Sequence, residues 1–497
     1  MSSQSAFSQQ LISLVLILLA LLFFMIQVVL FLNYPVIWSD EAIYTDLALN
    51  FIQDGVFKTS LWQGLLKGVE EIALWYPPLF LLLIAFWLKI VPVSAVSLRF
   101  LPLFLSILFL LLSWMWIRRY LLLKPWFSLG YLLLLIIDTT FIQASRLARP
   151  EILVLVLVIL LFIFLSQIKF FKDKSKNQSL FWFLIGLLSS AIVLTHYYAV
   201  LLAPVFVSYY LVEHYPFLKK TPVVHLIKDN FLRILKTIIW FSLGFFIPLV
   251  CWFITISPHL ELLQLHLSLS AELKAFETPW VINVFKGRDL LLKAIYLNYL
   301  TLIIIIIWQS ITTKNRYLFW LAFSVIWLLI VTTYGKMLWY FVYLVPFIYL
   351  GLMYSWQLLV SLDWKRKALT SLLLLTLVLH GWKIGERIIL ITQEQLSYDR
   401  YSVQVLAHVP DNTTVFLSAL PDPYLAFIKA GRNNQLIEFP TMRVSESIYE
   451  EILNQADYAI YNGDHHPQFG NFLFNYLQEH AVEIIPVSYG VVIVKLK

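Results

Sequence analysis

A chain of 497 residues with 60% hydrophobic and only 13% charged side chains cannot close a water-soluble globule, and its mean hydropathy of +0.80 marks a polytopic membrane protein. The net charge of +7 does not indicate nucleic acid, because the basic residues fall in short loops between apolar spans, where orientation in the bilayer accounts for them. Aromatic residues make up 16% of the chain, which fits interfacial belts and a cavity for a lipid or sugar.

The apolar run from Leu11 to Leu32 is too long for a signal-peptide core, and Met1-Ser2-Ser3-Gln4-Ser5 carries no basic residue, so it reads as an uncleaved first helix. Further spans are expected roughly over 96–117, 126–144, 151–168, 180–196, 197–213, 237–256, 290–308, 317–334, 338–359 and 368–385, giving about eleven helices. The lone cysteine, Cys251, lies inside an apolar run, which excludes an intramolecular disulfide and makes it a buried bystander in this reading.

Segment 77–92 is apolar but short, beginning Pro77-Pro78 and ending Lys89-Ile90-Val91-Pro92, and charge decides its role. If it does not span, the loops carrying Arg118/Arg119/Lys124, Lys169 to Lys176, Lys219 to Lys236, Lys314/Arg316 and Lys365/Arg366/Lys367 share one face, the pattern of a cytoplasmic side. We therefore expect a re-entrant or interfacial helix there, a cytoplasmic N-terminus, and an outer face gathering loop 33–95, loop 145–151, loop 257–289, Lys336 and the C-terminal tail. From about residue 395 the composition becomes that of a soluble unit. Strands near 415–417, 436–439, 458–461 and 482–495 alternate with helical stretches over 423–430, 445–455 and 468–480. The expected architecture is a polytopic α-helical membrane domain over 1–394 and a small extracytoplasmic α/β domain over 395–497, without a nucleotide-binding motif.

Adjacent carboxylates at Asp40 and Glu41, a few residues past the first span, are the strongest chemical signal, since acidic residues at a membrane face usually have a task. A positioned aspartate suffices as general base for transfer to a hydroxyl. Ser39 or Asp40 also makes a good N-cap for a helix from Glu41 to Gln53, and local sequence does not choose between the two readings. Arg146 and Arg149, in the short loop ending at Pro150-Glu151, oppose the positive-inside tendency and call for compensation, either by the acidic first loop or by an anionic phosphate. Arg149, beside Glu151, has the more functional context. Lys336 and Tyr340, one helical turn apart, would grip a phosphate where it meets the bilayer, with interfacial snorkelling as the plainer reading of the lysine. His196, His259, Glu261 and His266 are too loosely spaced for a metal motif, and neutral or substrate-facing histidines are the better expectation.

Four elements in this order, Asp40-Glu41 followed by Tyr44, Tyr76-Pro77-Pro78-Leu79, Ala148-Arg149-Pro150-Glu151, and Lys336 through Tyr340 to Pro346, resemble the GT-C glycosyltransferases, in particular protein O-mannosyltransferases and lipid A aminoarabinose transferases. The resemblance implies a sugar donor carried on polyprenyl phosphate, transfer on the outer face, in the ER lumen or the periplasm, and an extracytoplasmic lipid, glycan or protein acceptor; a bacterial plasma membrane is the setting expected here. Asp40 would act as general base with inversion at the anomeric carbon, aided by Glu41. Tyr44, Asp46, Tyr76, Arg146, Arg149, Glu151, His196, His259, Lys336 and Tyr340 would bind substrate or shape the site. Aminoarabinose transferases carry an arginine two residues after the acidic pair and an acidic residue shortly before the double proline; here Ile43 and Trp75 or Tyr76 stand there. The substrate expected is therefore not aminoarabinose. The resemblance leaves a divalent metal open, and no ligand set is assigned to one. The competing class is a non-enzymatic lipid or sugar transporter, which would distribute polar residues through the membrane depth rather than concentrate them in loops.

Overall fold

The computed structural model describes residues 3–168, 175–214, 223–275, 285–286, 288–334, 338–359, 363–438, 446–463 and 470–497. Its helices are α1 Ser3–Leu30, α2 Ser39–Asp54, α3 Pro78–Leu88, α4 Ala95–Arg119, α5 Pro125–Ile137, α6 Thr139–Ala144, α7 Glu151–Gln167, α8 Ser175–Thr195, α9 Ala203–His214, α10 Val223–Ile256, α11 Leu260–Ala275, α12 Leu290–Thr313, α13 Arg316–Tyr334, α14 Val345–Leu358 and α15 Asp363–Gln393. Seven helical segments among the described residues are long and apolar enough to cross a membrane, and four shorter apolar helices accompany them. Segment 77–92 holds only the 11-residue α3, at about 1.5 Å per residue too short to span. Its start follows from sequence: Pro77 is extended and Pro78 occupies the first turn, where a missing N–H costs nothing.

Three expected continuous spans are interrupted. Stretch 126–144 breaks at Asp138 into α5 and α6, 197–213 opens with a 3-10 turn over Tyr197–Leu202, and 338–359 is divided into a 3-10 turn over Leu338–Tyr343 and α14. Side chains cause the first break, because the Asp138 carboxylate accepts the Phe141 N–H at 2.8 Å and restarts the helix. Apolarity alone does not register such a cap. Among the described residues of loop 257–289, α11 forms a 16-residue helix where an outer connection was expected. Cys251 is exposed on α10, contrary to the buried position expected of it, because α10 packs mainly against α8 and leaves most of its apolar surface outward. That crossing depends on glycine. A Cβ at Gly186 would lie 2.2 Å from Phe241 O, and one at Gly244 2.0 Å from Phe183 O.

The C-terminal part begins with α16 Tyr398–His408 and forms a five-stranded mixed sheet of β1 Thr414–Ser418, β2 Gln435–Glu438, β3 Tyr458–Tyr461, β4 Glu483–Pro486 and β5 Val492–Lys495, in the order β2-β1-β3-β5-β4. Strand β1 pairs in parallel with β2 and β3, whereas β5 runs antiparallel to β3 and β4. The crossovers carry α17 Tyr424–Lys429, α18 Glu446–Gln455 and α19 Gly470–His480. The single strand expected over 482–495 is instead a hairpin, turned at Ser488–Gly490 with Tyr489 and Gly490 at positive φ.

This sheet docks on the first loop through backbone bonds: Asp422 N–H to Ile37 O at 2.9 Å and Glu438 N–H to Leu61 O at 2.7 Å. Tyr424 Oη adds a bond to Asp46 Oδ1 at 2.9 Å, and Asn33 Oδ1 accepts from Tyr398 N and Tyr489 Oη, both at 3.2 Å. Asp422 and Glu438 are both buried at this seam and lie close enough for each carboxyl to act on the other. Burial raises the Asp422 carboxyl to about 6, and burial followed by repulsion from Asp422 lifts Glu438 well above the usual carboxylate range. Folded-state values above the unfolded ones mean that the folded chain holds protons that the unfolded chain has released. The contribution to stability is then full below the unfolded Asp value of 3.8 and falls as pH rises through about 6. We expect thermal stability in detergent to fall as pH rises from about 4 to about 6, and Asp422→Asn to flatten that slope. An unchanged slope in the variant would reject the assignment to this pair.

Candidate functional site

Helix α2 opens at Ser39 after an extended Trp38 and closes at Gly55, whose φ of 74° lies in the left-handed region that glycine adopts freely. Asp40 and Glu41 fall in its first turn, where carboxylates complement the helix dipole. Adjacent positions on a helix diverge by about 100°, so the two acids face different partners. Glu41 points inward. Its Oε2 accepts the Trp38 N–H at 3.0 Å, so the N-cap is Trp38, one or two residues before the Ser39 or Asp40 expected, and Glu41 serves it from the third helical position. Arg99 on α4 then grips both oxygens, Nε to Oε1 at 3.0 Å and Nη2 to Oε2 at 2.7 Å, with both side chains fully buried. The remaining donors of Arg99 hold the carbonyls of Phe31, Pro35 and Val36 at 2.8–3.0 Å, and Glu41 Oε1 also receives the Ala148 N–H at 3.3 Å.

Asp40 faces the other way and pairs with Arg149 Nη1. Arg149 is bound on its other edge by Glu151 Oε1, at 3.1 Å from Nε and 2.9 Å from Nη2. The aspartate keeps 16% of its side chain exposed, against 7% for the arginine and 4% for the glutamate, so the carboxylate is the solvent-facing end of this triad. Tyr44, one turn along α2 from Asp40, meets Tyr76 at a ring distance of 4.8 Å and Phe80 at 5.5 Å. Burial pushes both phenols upward, and the neighbouring Asp40 carboxylate adds to it, so both remain neutral hydrogen-bond donors.

A second group reaches the same place from the far end of the chain. The Tyr340 ring lies 5.0 Å from Tyr198 and 5.1 Å from His196, and Tyr343 Oη sits 3.2 Å from His196 Nδ1. Charges on Arg149, Glu151 and Asp40 are close enough to act on Tyr340. Behind these hydroxyls runs a small cavity walled by Leu201, Leu202, Leu328 and Val331, and a second cavity touches Arg149 and Glu151 beside Thr140 and Leu147.

The structure therefore gathers Asp40, Tyr44, Tyr76, Arg149, Glu151, His196 and Tyr340. Other expected site residues serve elsewhere. Arg146 is fully buried and bonds Gln27 Oε1 at 2.6 Å with the carbonyls of Ile26 and Tyr34 at 2.8 Å, tying the loop to the end of α1. Asp46 receives Tyr424 at the sheet seam, and burial raises its carboxyl. His259 lies at the α10–α11 turn, with no hydrogen bond or ring contact to the cluster among the described residues, whereas His266 bonds Lys67 O at 3.1 Å and meets the Trp75 ring edge-on. Lys336 lies outside the described residues. No group of three or more histidine, cysteine, aspartate or glutamate side chains gathers as a metal site among the described residues. Sequence reasoning missed Arg99, although an arginine near the end of an apolar span demands a buried partner and was legible on that ground. It also missed Tyr198 and Tyr343, whose relevance comes only from their approach to Tyr340.

The bundle, its broken helices and the docked sheet together have the fold of the GT-C membrane glycosyltransferases. Among solved structures the chain is similar to ArnT from Cupriavidus metallidurans bound to undecaprenyl phosphate, with a TM-score of 0.59 at 10% identity over 98% of each chain. It is also similar to the archaeal oligosaccharyltransferase AglB from Archaeoglobus fulgidus in complex with an inhibitory peptide and a dolichol-phosphate, with a TM-score of 0.51 at 12% identity over 91% of this chain and 69% of that one. No protein-family model and no curated protein matches the sequence. The likeness is one of fold.

Glu41 and Asp40 should separate experimentally. Replacing Arg99 by Met strands a buried carboxylate and should cost about 3–5 kcal/mol, seen as a lowered unfolding temperature in detergent, and Glu41→Gln should act in the same direction. Asp40→Asn should leave that temperature near wild type, because its carboxylate is partly hydrated. Equal losses for Asp40→Asn and Arg99→Met would contradict this division.

Proposed function

We propose that this chain is an integral-membrane glycosyltransferase that moves a sugar from a polyprenyl-phosphate donor to a hydroxyl of an extracytoplasmic lipid, glycan or protein acceptor, with inversion. The observation that carries this reading is the Asp40–Arg149–Glu151 triad, in which a partly exposed carboxylate is paired with a buried guanidinium, within electrostatic reach of Tyr340. The bound undecaprenyl phosphate of ArnT and dolichol-phosphate of AglB, in the same fold, support the donor class.

Asp40 removes the proton as the acceptor oxygen attacks the anomeric carbon. The bond from that carbon to the phosphate oxygen breaks, and the polyprenyl phosphate leaves with its electron pair. The resting Asp40–Arg149 contact has a consequence for this chemistry. While Arg149 holds Asp40, the carboxylate is a poor base. An incoming phosphate competes for Nη1, takes the guanidinium as its own counter-ion and releases Asp40, so donor binding prepares the base. Glu151 keeps the other edge of Arg149 fixed during that exchange. Tyr44, Tyr76 and Tyr340, all neutral donors or acceptors, line the space for sugar and phosphate oxygens. The setting we propose is a bacterial plasma membrane with the N-terminus cytoplasmic and loop 33–95 and residues 395–497 outside, an orientation that the distribution of basic loops supports.

The test compares wild type with Asp40→Asn, purified in detergent, for consumption of a panel of polyprenyl-phosphate sugars by mass spectrometry, with membrane extract as acceptor. Wild type is expected to consume one donor and the variant to lose at least about 100-fold in rate while retaining donor binding. Equal turnover would remove Asp40 as the base, and binding without turnover in wild type would favour a carrier.

A further inference from the structure

We infer that Asp138, buried among the membrane helices, is a positioning residue that sets the distance between the two phosphate-facing segments, the Arg149 loop and the Tyr340–Tyr343 turn. This rests on the glycosyltransferase reading and deepens it. Asp138 stands at the α5–α6 break, and its side chain is fully buried. Its two oxygens divide the work. Oδ1 accepts the Phe141 N–H at 2.8 Å and starts α6. Oδ2 accepts the hydroxyls of Tyr299 on α12 and Tyr349 on α14, the latter at 2.6 Å.

Each side of this junction leads by short, rigid steps to the site. Helix α6 ends in a tight turn, with Gln143 O accepting from Arg146 N and Leu147 N at 3.1 Å and Leu147 O from Arg149 N at 2.7 Å. On the other side, the Tyr299 ring packs 5.0 Å from Phe341, the neighbour of Tyr340, and Tyr349 lies on the helix that the Leu338–Tyr343 turn leads into. Leu344 N bonds back to Phe341 O at 2.9 Å and leaves that turn little slack.

His380 on α15 closes the cluster. Its Nδ1 accepts the Thr139 N–H at 3.2 Å, so the proton sits on Nε2, which faces Tyr349 Oη at 3.3 Å and Asp138 Oδ2 at 3.6 Å. Four helices thus meet at one carboxylate. A cluster that served packing alone would not need to join the two segments bearing the phosphate-facing groups. A buried polar group in a membrane bundle is costly, and the donors here are spent on joining the start of α6 to α12, α14 and α15.

Binding of undecaprenyl phosphate to the full-length protein in detergent tests this, using Tyr299→Phe and Tyr349→Phe, which remove the hydroxyls while keeping the ring packing. The double variant should weaken binding about tenfold with the fold retained, and in a Tyr340→Phe background the same pair should cost only about threefold, because its effect runs through that residue. Asp138→Asn should lower affinity in the same direction. Unchanged affinity in the double variant, or equal losses with and without Tyr340→Phe, would overturn the positioning role and leave the functional reading intact. A wild-type protein that does not bind undecaprenyl phosphate would overturn both.

Discussion

The fold around the site depends on a single buried ion pair, Glu41 with Arg99. Two opposite charges taken out of water persist only when geometry and further hydrogen bonds offset their desolvation. Here the guanidinium is bidentate on the carboxylate and spends its remaining donors on the carbonyls of Phe31, Pro35 and Val36, the connection between α1 and α2. The carboxylate in turn takes the Trp38 and Ala148 amides. Removing either partner would therefore release three pieces of chain at once: the start of α2, the end of α1 and the loop that delivers Arg149.

That arrangement explains how two neighbouring acids hold different tasks. Helical geometry sends Glu41 into the protein and Asp40 toward Arg149, and the fixed Glu41 makes the orientation of Asp40 reproducible. The two arginines of loop 145–151 divide in the same manner. Arg146 bonds neutral oxygens and anchors α1, while Arg149 bridges two carboxylates at the site. The charge density that made this loop stand out in the sequence is thus half anchoring and half chemical.

The C-terminal sheet is joined to the first loop, 33–95, as well as following the last helix in the chain. Its β2 end and the turn after β1 bond to Leu61 and Ile37 by main chain, and the protonated Asp422–Glu438 pair sits at that seam. Fastened to the first loop, the sheet also brings Glu438 within electrostatic reach of Asp40.

Much of this was legible in the chain itself. Composition and run lengths determined a membrane bundle, the double proline determined a short helix at 78–88, turn residues and alternation determined an α/β tail, and the order of Asp40-Glu41, Tyr76-Pro77-Pro78 and Arg149-Pro150-Glu151 led to the GT-C fold. These features are local, and physics acts on them within a few residues. Tertiary structure alone decided that Glu41 is held by Arg99, that Arg146 anchors α1, that Asp46 meets Tyr424, and that Asp138 draws α12, α14 and α15 to one point. Each of those choices depends on which distant side chain arrives within about 3 Å of a buried polar group, a distance that no spacing along the chain encodes.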